Sequence, residues 1–88
     1  MTEIMTSTIQ IKIEAFGAIE RKLPAHLSFS CHHQICISDV LAHIIQQYPA
    51  SASLLARCAC AIGEDIVPRQ MQLTGDTHLV LLSPVAGG

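Results

Sequence analysis

Thr77-His78-Leu79-Val80-Leu81-Leu82, followed at once by Ser83-Pro84-Val85-Ala86-Gly87-Gly88, decides how this chain is read. Leu79 and Leu81 alternate on one face, and His78, Val80 and Leu82 on the other. A strand this apolar on both faces belongs in the middle of a sheet, covered on both sides or touching a partner. Thr74-Gly75-Asp76 ahead of it reads as a turn. The segment behind it ends on two glycines, neither with a β-carbon, so they can enter a slot too narrow for almost any other residue. A chain end that packs nothing is weakly held. Two readings stand side by side: a frayed end that happens to hold two glycines, or a tail whose Gly88 carboxylate is the working group.

Working outward, Thr8 to Phe16 alternates with Ile9, Ile11, Ile13 and Ala15 on one face and Gln10, Lys12 and Glu14 on the other. That is a half-buried strand. Leu27, Phe29 and Cys31 alternate with Ser28 and Ser30 and predict a second strand. Between them Arg21 to Ala25 forms a connection, where Pro24 discourages a ladder position. After Ile37 the period changes. Ser38 is placed to cap, Asp39 suits a first turn, and Val40, Leu41, Ile44, Ile45 and Tyr48 share a helical face until Pro49 ends it. Ser51 to Leu55 adds a short helical turn. Cys58, Cys60 and Ile62 predict a third strand, Gly63-Glu64-Asp65 a turn, and Ile66-Val67 a short fourth strand, while Gln70 to Leu73 reads either way.

One helix over a mixed sheet is the economical two-layer solution. The first and last strands are the most apolar and are expected as parallel neighbours in the middle. That arrangement is an α+β β-grasp, or ubiquitin-like, fold: a mixed sheet of about five strands against one main helix and a short one. Residues 1–82 are expected to form the domain, with residues 1–7 loose, and 83–88 a flexible tail.

Eighty-eight residues bury one modest core, which leaves little for a deep private active site. Only 14% of the residues are charged, where about a quarter is usual, so some apolar surface is expected to meet another protein. The net charge is −2 and the five basic residues are dispersed, which argues against nucleic acid. No apolar run nears the roughly 18 residues that span a bilayer, and residues 1–6 lack a secretory signal. The expected location is the cytoplasm, with the four cysteines as reduced thiols.

Cys31, His32, His33 and Cys36, with Cys58 and Cys60 elsewhere, raise a soft-metal reading. The Cys31 to Cys36 gap is wider than zinc-finger spacing, and Cys58 and Cys60 suit core packing, so no metal is expected. His26 and His43 read as ordinary and His78 as a partner contact near the tail. Glu64, Asp65 and Asp76 read as solvated turns or contacts to a basic patch. No Gly-rich strand-to-helix stretch supports a nucleotide site.

Three blocks carry a family resemblance: Ile13 to Arg21, Ile37 to Leu41 and, most specific, Leu73 to Gly88 with its Gly-Asp turn, apolar strand, Pro84-Val85 and terminal Gly-Gly. Over residues 8–88 the chain resembles the molybdopterin synthase small subunits of the ubiquitin-like ThiS/MoaD family of sulfur carriers. The family usually has aromatic residues at Leu81 and Leu82 and Pro-Pro at Ser83-Pro84. The resemblance implies that an E1-like adenylyltransferase activates the Gly88 carboxylate with ATP as a transient acyl-adenylate, and that a sulfur donor turns it into a thiocarboxylate. It further implies that the tail, Pro84, Val85, Ala86 and Gly87, enters the large synthase subunit in a heterotetramer of two small and two large subunits. There each loaded carrier gives one sulfur to cyclic pyranopterin monophosphate, forming the molybdopterin dithiolene. The small subunit is expected to be sulfurtransferase only with its partner and to hold no permanent cofactor. Phe16, His78, Leu79 and Leu81 are expected on the partner surface. A thiazole-pathway sulfur carrier or a ubiquitin-like protein modifier shares the activated Gly-Gly end, and a metal-binding or structural β-grasp module is the alternative from another class.

Overall fold

In the computed structural model, which describes residues 8–32 and 34–83, the strand predicted from alternation runs Thr8–Phe16 (β1). Ile9, Ile11 and Ile13 are buried and Gln10, Lys12 and Glu14 exposed, as the period of two requires. Gly17 then takes φ +86°, open to glycine because no β-carbon clashes. This turns the chain into a 3-10 segment, Gly17–Lys22, that buries Ile19. Part of the expected connection is therefore ordered. Leu27–His32 (β2) returns antiparallel to β1, pairing Leu27 with Ile13 and His32 with Thr8.

Ile35–Cys36 (β3) leads directly into Ile37–Gln47 (α1). Ser38 is not the cap. Cys36 occupies that position without a side-chain bond, and the first-turn amides are satisfied from elsewhere. Ile37 N–H donates to the Met71 carbonyl at 3.0 Å and Ser38 N–H to the Arg69 carbonyl at 2.9 Å. A neighbouring loop supplies the acceptors that a capping side chain ordinarily provides. The helix buries Ile37, Val40, Leu41 and Ile44 and stops ahead of Pro49. A 3-10 turn, Pro49–Ser51, and the short helix Ala52–Leu55 (α2) follow.

Ala59–Ile62 (β4) and Asp65–Val67 (β5) form a tight hairpin in which Ile62 pairs with Asp65 and Gly63 takes φ +62°. Cys58 is buried just ahead of β4 rather than within it. The ambiguous stretch resolves as Gln72–Leu73 (β6), which pairs antiparallel with β3 in a separate two-stranded ribbon. Thr77–Leu82 (β7) completes the main sheet, whose order is β2-β1-β7-β4-β5. The β1–β7 pair is parallel, with Ile11 opposite Thr77 and Phe16 opposite Leu82, and β4 flanks β7 antiparallel.

The core lies between one face of this sheet and α1. Ile9, Ile11, Ile13, Leu79 and Leu81 meet Ile37, Val40, Leu41 and Ile44 there, with Ile19, Leu55, Cys58 and Cys60 closing the ends. Each large side chain buried in this way contributes about 1.5–3 kcal/mol relative to exposure. A mixed five-stranded sheet with a helix packed across it is the expected β-grasp fold. No helix among the described residues is long and apolar enough to cross a membrane.

Candidate functional site

Ser83 is the first residue beyond β7. It is buried although polar. Its backbone N–H donates to the Phe16 carbonyl at 3.0 Å. Its Oγ donates to the same carbonyl at 3.1 Å and accepts the Ile19 N–H at 2.8 Å. The parallel register brings the end of β7 beside the end of β1, and the bend at Gly17 swings the Ile19 amide round to face it. Gly17 must stay bare for this approach: a β-carbon there would stand 2.3 Å from the Ser83 carbonyl oxygen. The expected working residues, Gly88, Gly87, Ala86, Val85 and Pro84, lie outside the described residues.

Beside this root the helix-free face of the sheet carries an apolar strip. Register partners share a face, so Glu14, Val80, Ala61 and Ile66 form one row and Phe16, Leu82 and Ala59 the next. Phe16, Leu82 and Ile66 are the large exposed apolar side chains of these rows, at 45%, 36% and 65%. All three stand on the helix-free face, in two neighbouring rows. Phe16 is therefore exposed and free of the core. Leu79 and Leu81 are not: both are fully buried against the helix side, because they pair with Ile13 and Ala15 on the Ile face of β1. Leu82, Val80 and Ile66 take their place on the open face. The expected partner surface mixed the two faces of β7: His78 stands on the open face with Phe16, while Leu79 and Leu81 are buried on the inner one. The signal that corrects it is the parallel pairing with β1, whose isoleucine face must be the inner one.

His78 is exposed on this open face, its Nε2 2.7 Å from Glu14 Oε1. Both side chains are about half exposed, so the pair contributes little to stability. With Lys12, His26 and Ser28, and with Ile13, Ala25 and Leu27, they line an open groove of about 410 Å³. His43 stacks on Phe29 with ring centroids 5.9 Å apart, a packing role.

Cys31, Cys36, Cys58 and Cys60 are free thiols. Burial pushes the Cys31, Cys58 and Cys60 thiols up. For Cys58 the neighbouring Cys60 adds to the rise, and Arg69 opposes it for both Cys58 and Cys60. A raised thiol is the reverse of what a nucleophilic cysteine needs. Cys36 Sγ donates to the Arg69 carbonyl at 3.2 Å. Among the described residues no three His, Cys, Asp or Glu side chains gather as metal ligands, and His33 lies outside those residues.

Comparison with known proteins agrees with this geometry. No curated protein matches the chain significantly. The crystal structure of SAMP1 from Haloferax volcanii superposes with a TM-score of 0.76 over 90% of this chain and 99% of that one, at 14% identity. The solution structure of the Haloferax volcanii HVO 2177 protein gives 0.78 over 100% and 94%, at 15% identity. At such identities the likeness is one of fold. The sequence pattern of the ThiS family matches residues 19–88, which takes in the helix, the central strand and both terminal glycines. The chain therefore belongs to the ThiS family of ubiquitin-like sulfur carriers.

Proposed function

We propose that this chain is the sulfur carrier subunit of molybdopterin synthase, with the Gly88 carboxylate as its reacting group. The observation that carries the reading is that the family pattern continues through residue 88, so that Pro84-Val85-Ala86-Gly87-Gly88 falls inside it. A carboxylate with a reference pKa of about 3.5 is ionised near neutrality and is a poor electrophile. In the proposed cycle one of its oxygens attacks the α-phosphorus of ATP on an E1-like adenylyltransferase and pyrophosphate leaves. A sulfur nucleophile, formally hydrosulfide from a donor system, then adds to the acyl carbon and displaces AMP. The product is a thiocarboxylate whose soft sulfur forms a C–S bond to a carbon of cyclic pyranopterin monophosphate inside the large subunit, as a C–O bond at that carbon breaks and its oxygen leaves. Water cleaves the resulting acyl–sulfur bond, leaving sulfur on the pterin and restoring the Gly88 carboxylate. A second loaded carrier supplies the second sulfur of the dithiolene.

The chain's own contributions are binding and delivery. Glycine at 87 and 88 permits passage through a narrow channel, and Pro84 limits φ at the start of the tail. Docking converts a bimolecular encounter with diffusing sulfide into a reaction of a held group. The strip of Phe16, Leu82, Val80 and Ile66, flanked by His78, is the proposed docking surface for the large subunit in an assembly of two small and two large chains. Acid–base groups and the pterin pocket belong to that partner.

A thiazole-pathway carrier is the second reading, because it uses the same activated Gly-Gly end that the family match takes in. Both carriers give a thiocarboxylate after incubation with activating enzyme, ATP and a sulfur donor, seen by intact mass as replacement of one oxygen by sulfur. Copurification with a large synthase subunit, and conversion of the pterin precursor by the loaded complex, is expected for the first. A loaded chain that converts no pterin but serves thiazole synthesis would replace it, and isopeptide adducts on lysines would point to a modifier.

A further inference from the structure

A polar residue just past the end of a strand ordinarily turns to water. Ser83 is instead buried and held by three hydrogen bonds to two backbone groups, the Phe16 carbonyl and the Ile19 N–H. The corner that holds it is built for close approach. Gly17 sits at φ +86°, and a β-carbon on it would stand 2.7 Å from Ser83 Oγ as well as 2.3 Å from the carbonyl oxygen. The hydroxyl fills both of its roles at once, satisfying an amide that faces it and donating to a carbonyl already accepting from the Ser83 backbone. Without it the Ile19 amide loses its acceptor in a buried place, which is costly.

We propose that Ser83 is a positioning residue for sulfur transfer. Its clamp onto the Phe16–Ile19 corner fixes the point at which the chain leaves the sheet. This inference rests on the carrier reading above. The clamp also ties the tail's root to Phe16, whose side chain lies in the docking strip, so that seating the strip and aiming the tail become one event. A loosened root must be ordered anew each time the tail is inserted. Fixing the backbone of one extra residue corresponds to roughly a five- to thirtyfold loss of affinity.

The test is ATP–pyrophosphate exchange by the cognate adenylyltransferase over a range of carrier concentrations, with intact full-length chains. S83A is expected to raise the carrier KM roughly five- to thirtyfold with kcat unchanged, and amide exchange at Ile19 is expected to accelerate. S83C, of similar volume with a weaker donor and acceptor, is expected to fall between, and serves if S83A does not fold. S51A is the control: Ser51 is also buried and its Oγ donates to the Tyr48 carbonyl at 2.6 Å, on another part of the domain. It is expected to lower the urea midpoint and leave KM alone. Wild-type exchange with S83A and S83C both at wild-type KM overturns the clamp and leaves the carrier reading standing. An equal KM rise in S51A assigns the effect to general stability and also overturns it. A wild-type chain that supports no exchange overturns the carrier reading, and the clamp's role with it.

Discussion

Leu81 and Leu82 adjoin in the chain and face opposite ways: Leu81 has no solvent exposure, while Leu82 retains 36%. Leu81 lies opposite Ala15 and Cys60, and Leu82 opposite Phe16 and Ala59. Truncating Leu81 to Ala opens a cavity beneath α1 and is expected to cost about 2–5 kcal/mol in urea unfolding.

Leu82→Glu is expected to do the reverse. Stability should stay within about 0.5 kcal/mol of wild type, while binding to the large synthase subunit, measured by calorimetry, weakens at least about tenfold, as for a contact near the centre of an interface. Undiminished binding by L82E and by F16D would remove the apolar strip from the docking surface.

Gly17→Ala places a β-carbon against the Ser83 carbonyl oxygen at a backbone angle that L-residues rarely adopt. The expected destabilisation is about 1–3 kcal/mol. Gly63→Ala meets the same kind of backbone angle but open space, so it is expected to cost about 1 kcal/mol and to leave amide exchange at Ile19 at the wild-type rate.

The raised thiols of Cys31, Cys58 and Cys60 set a sign for the alkaline limb of stability. The folded chain holds these protons more tightly than the unfolded chain, so stability is whole below the ordinary thiol value of about 8.5. It falls as pH climbs past that value and through the raised ones. Urea midpoints taken along a pH series should show this decline, and the C58A/C60A double variant should flatten it. An unchanged slope in the double variant would assign the decline to other groups.

Deleting Gly88 is expected to leave the urea midpoint of the domain unchanged and to abolish thiocarboxylate formation, read by intact mass. Loss of folding on this deletion would contradict a purely chemical role for the terminus.

The parts of the fold written most clearly in the sequence are those with sustained periodicity. The alternation from Thr8 to Phe16 gave both ends of β1, and two unusually apolar strands gave the parallel pair at the sheet's centre. The ribbon of β3 and β6 was not legible, because Ile35–Cys36 and Gln72–Leu73 are each too short to show any period. The Ser38 cap failed because its acceptor role is taken by carbonyls of residues 69 and 71, a contact that local sequence does not encode. Of the candidate site, Phe16 and His78 were legible as exposed positions on the open face. Ser83 was not, since a lone serine after a strand looks like any polar exit until Gly17 and Ile19 are brought round to it.

The position of β7 between β1 and β4 has a consequence for synthesis on the ribosome. The strand that joins the two halves of the sheet follows both of its neighbours in the chain, so a nascent chain cannot close its sheet until residue 82 is free of the tunnel. Until then the unpaired edges of β1 and β4 are open to association with other chains. Translation that halts early therefore yields a sticky fragment in place of a smaller working domain.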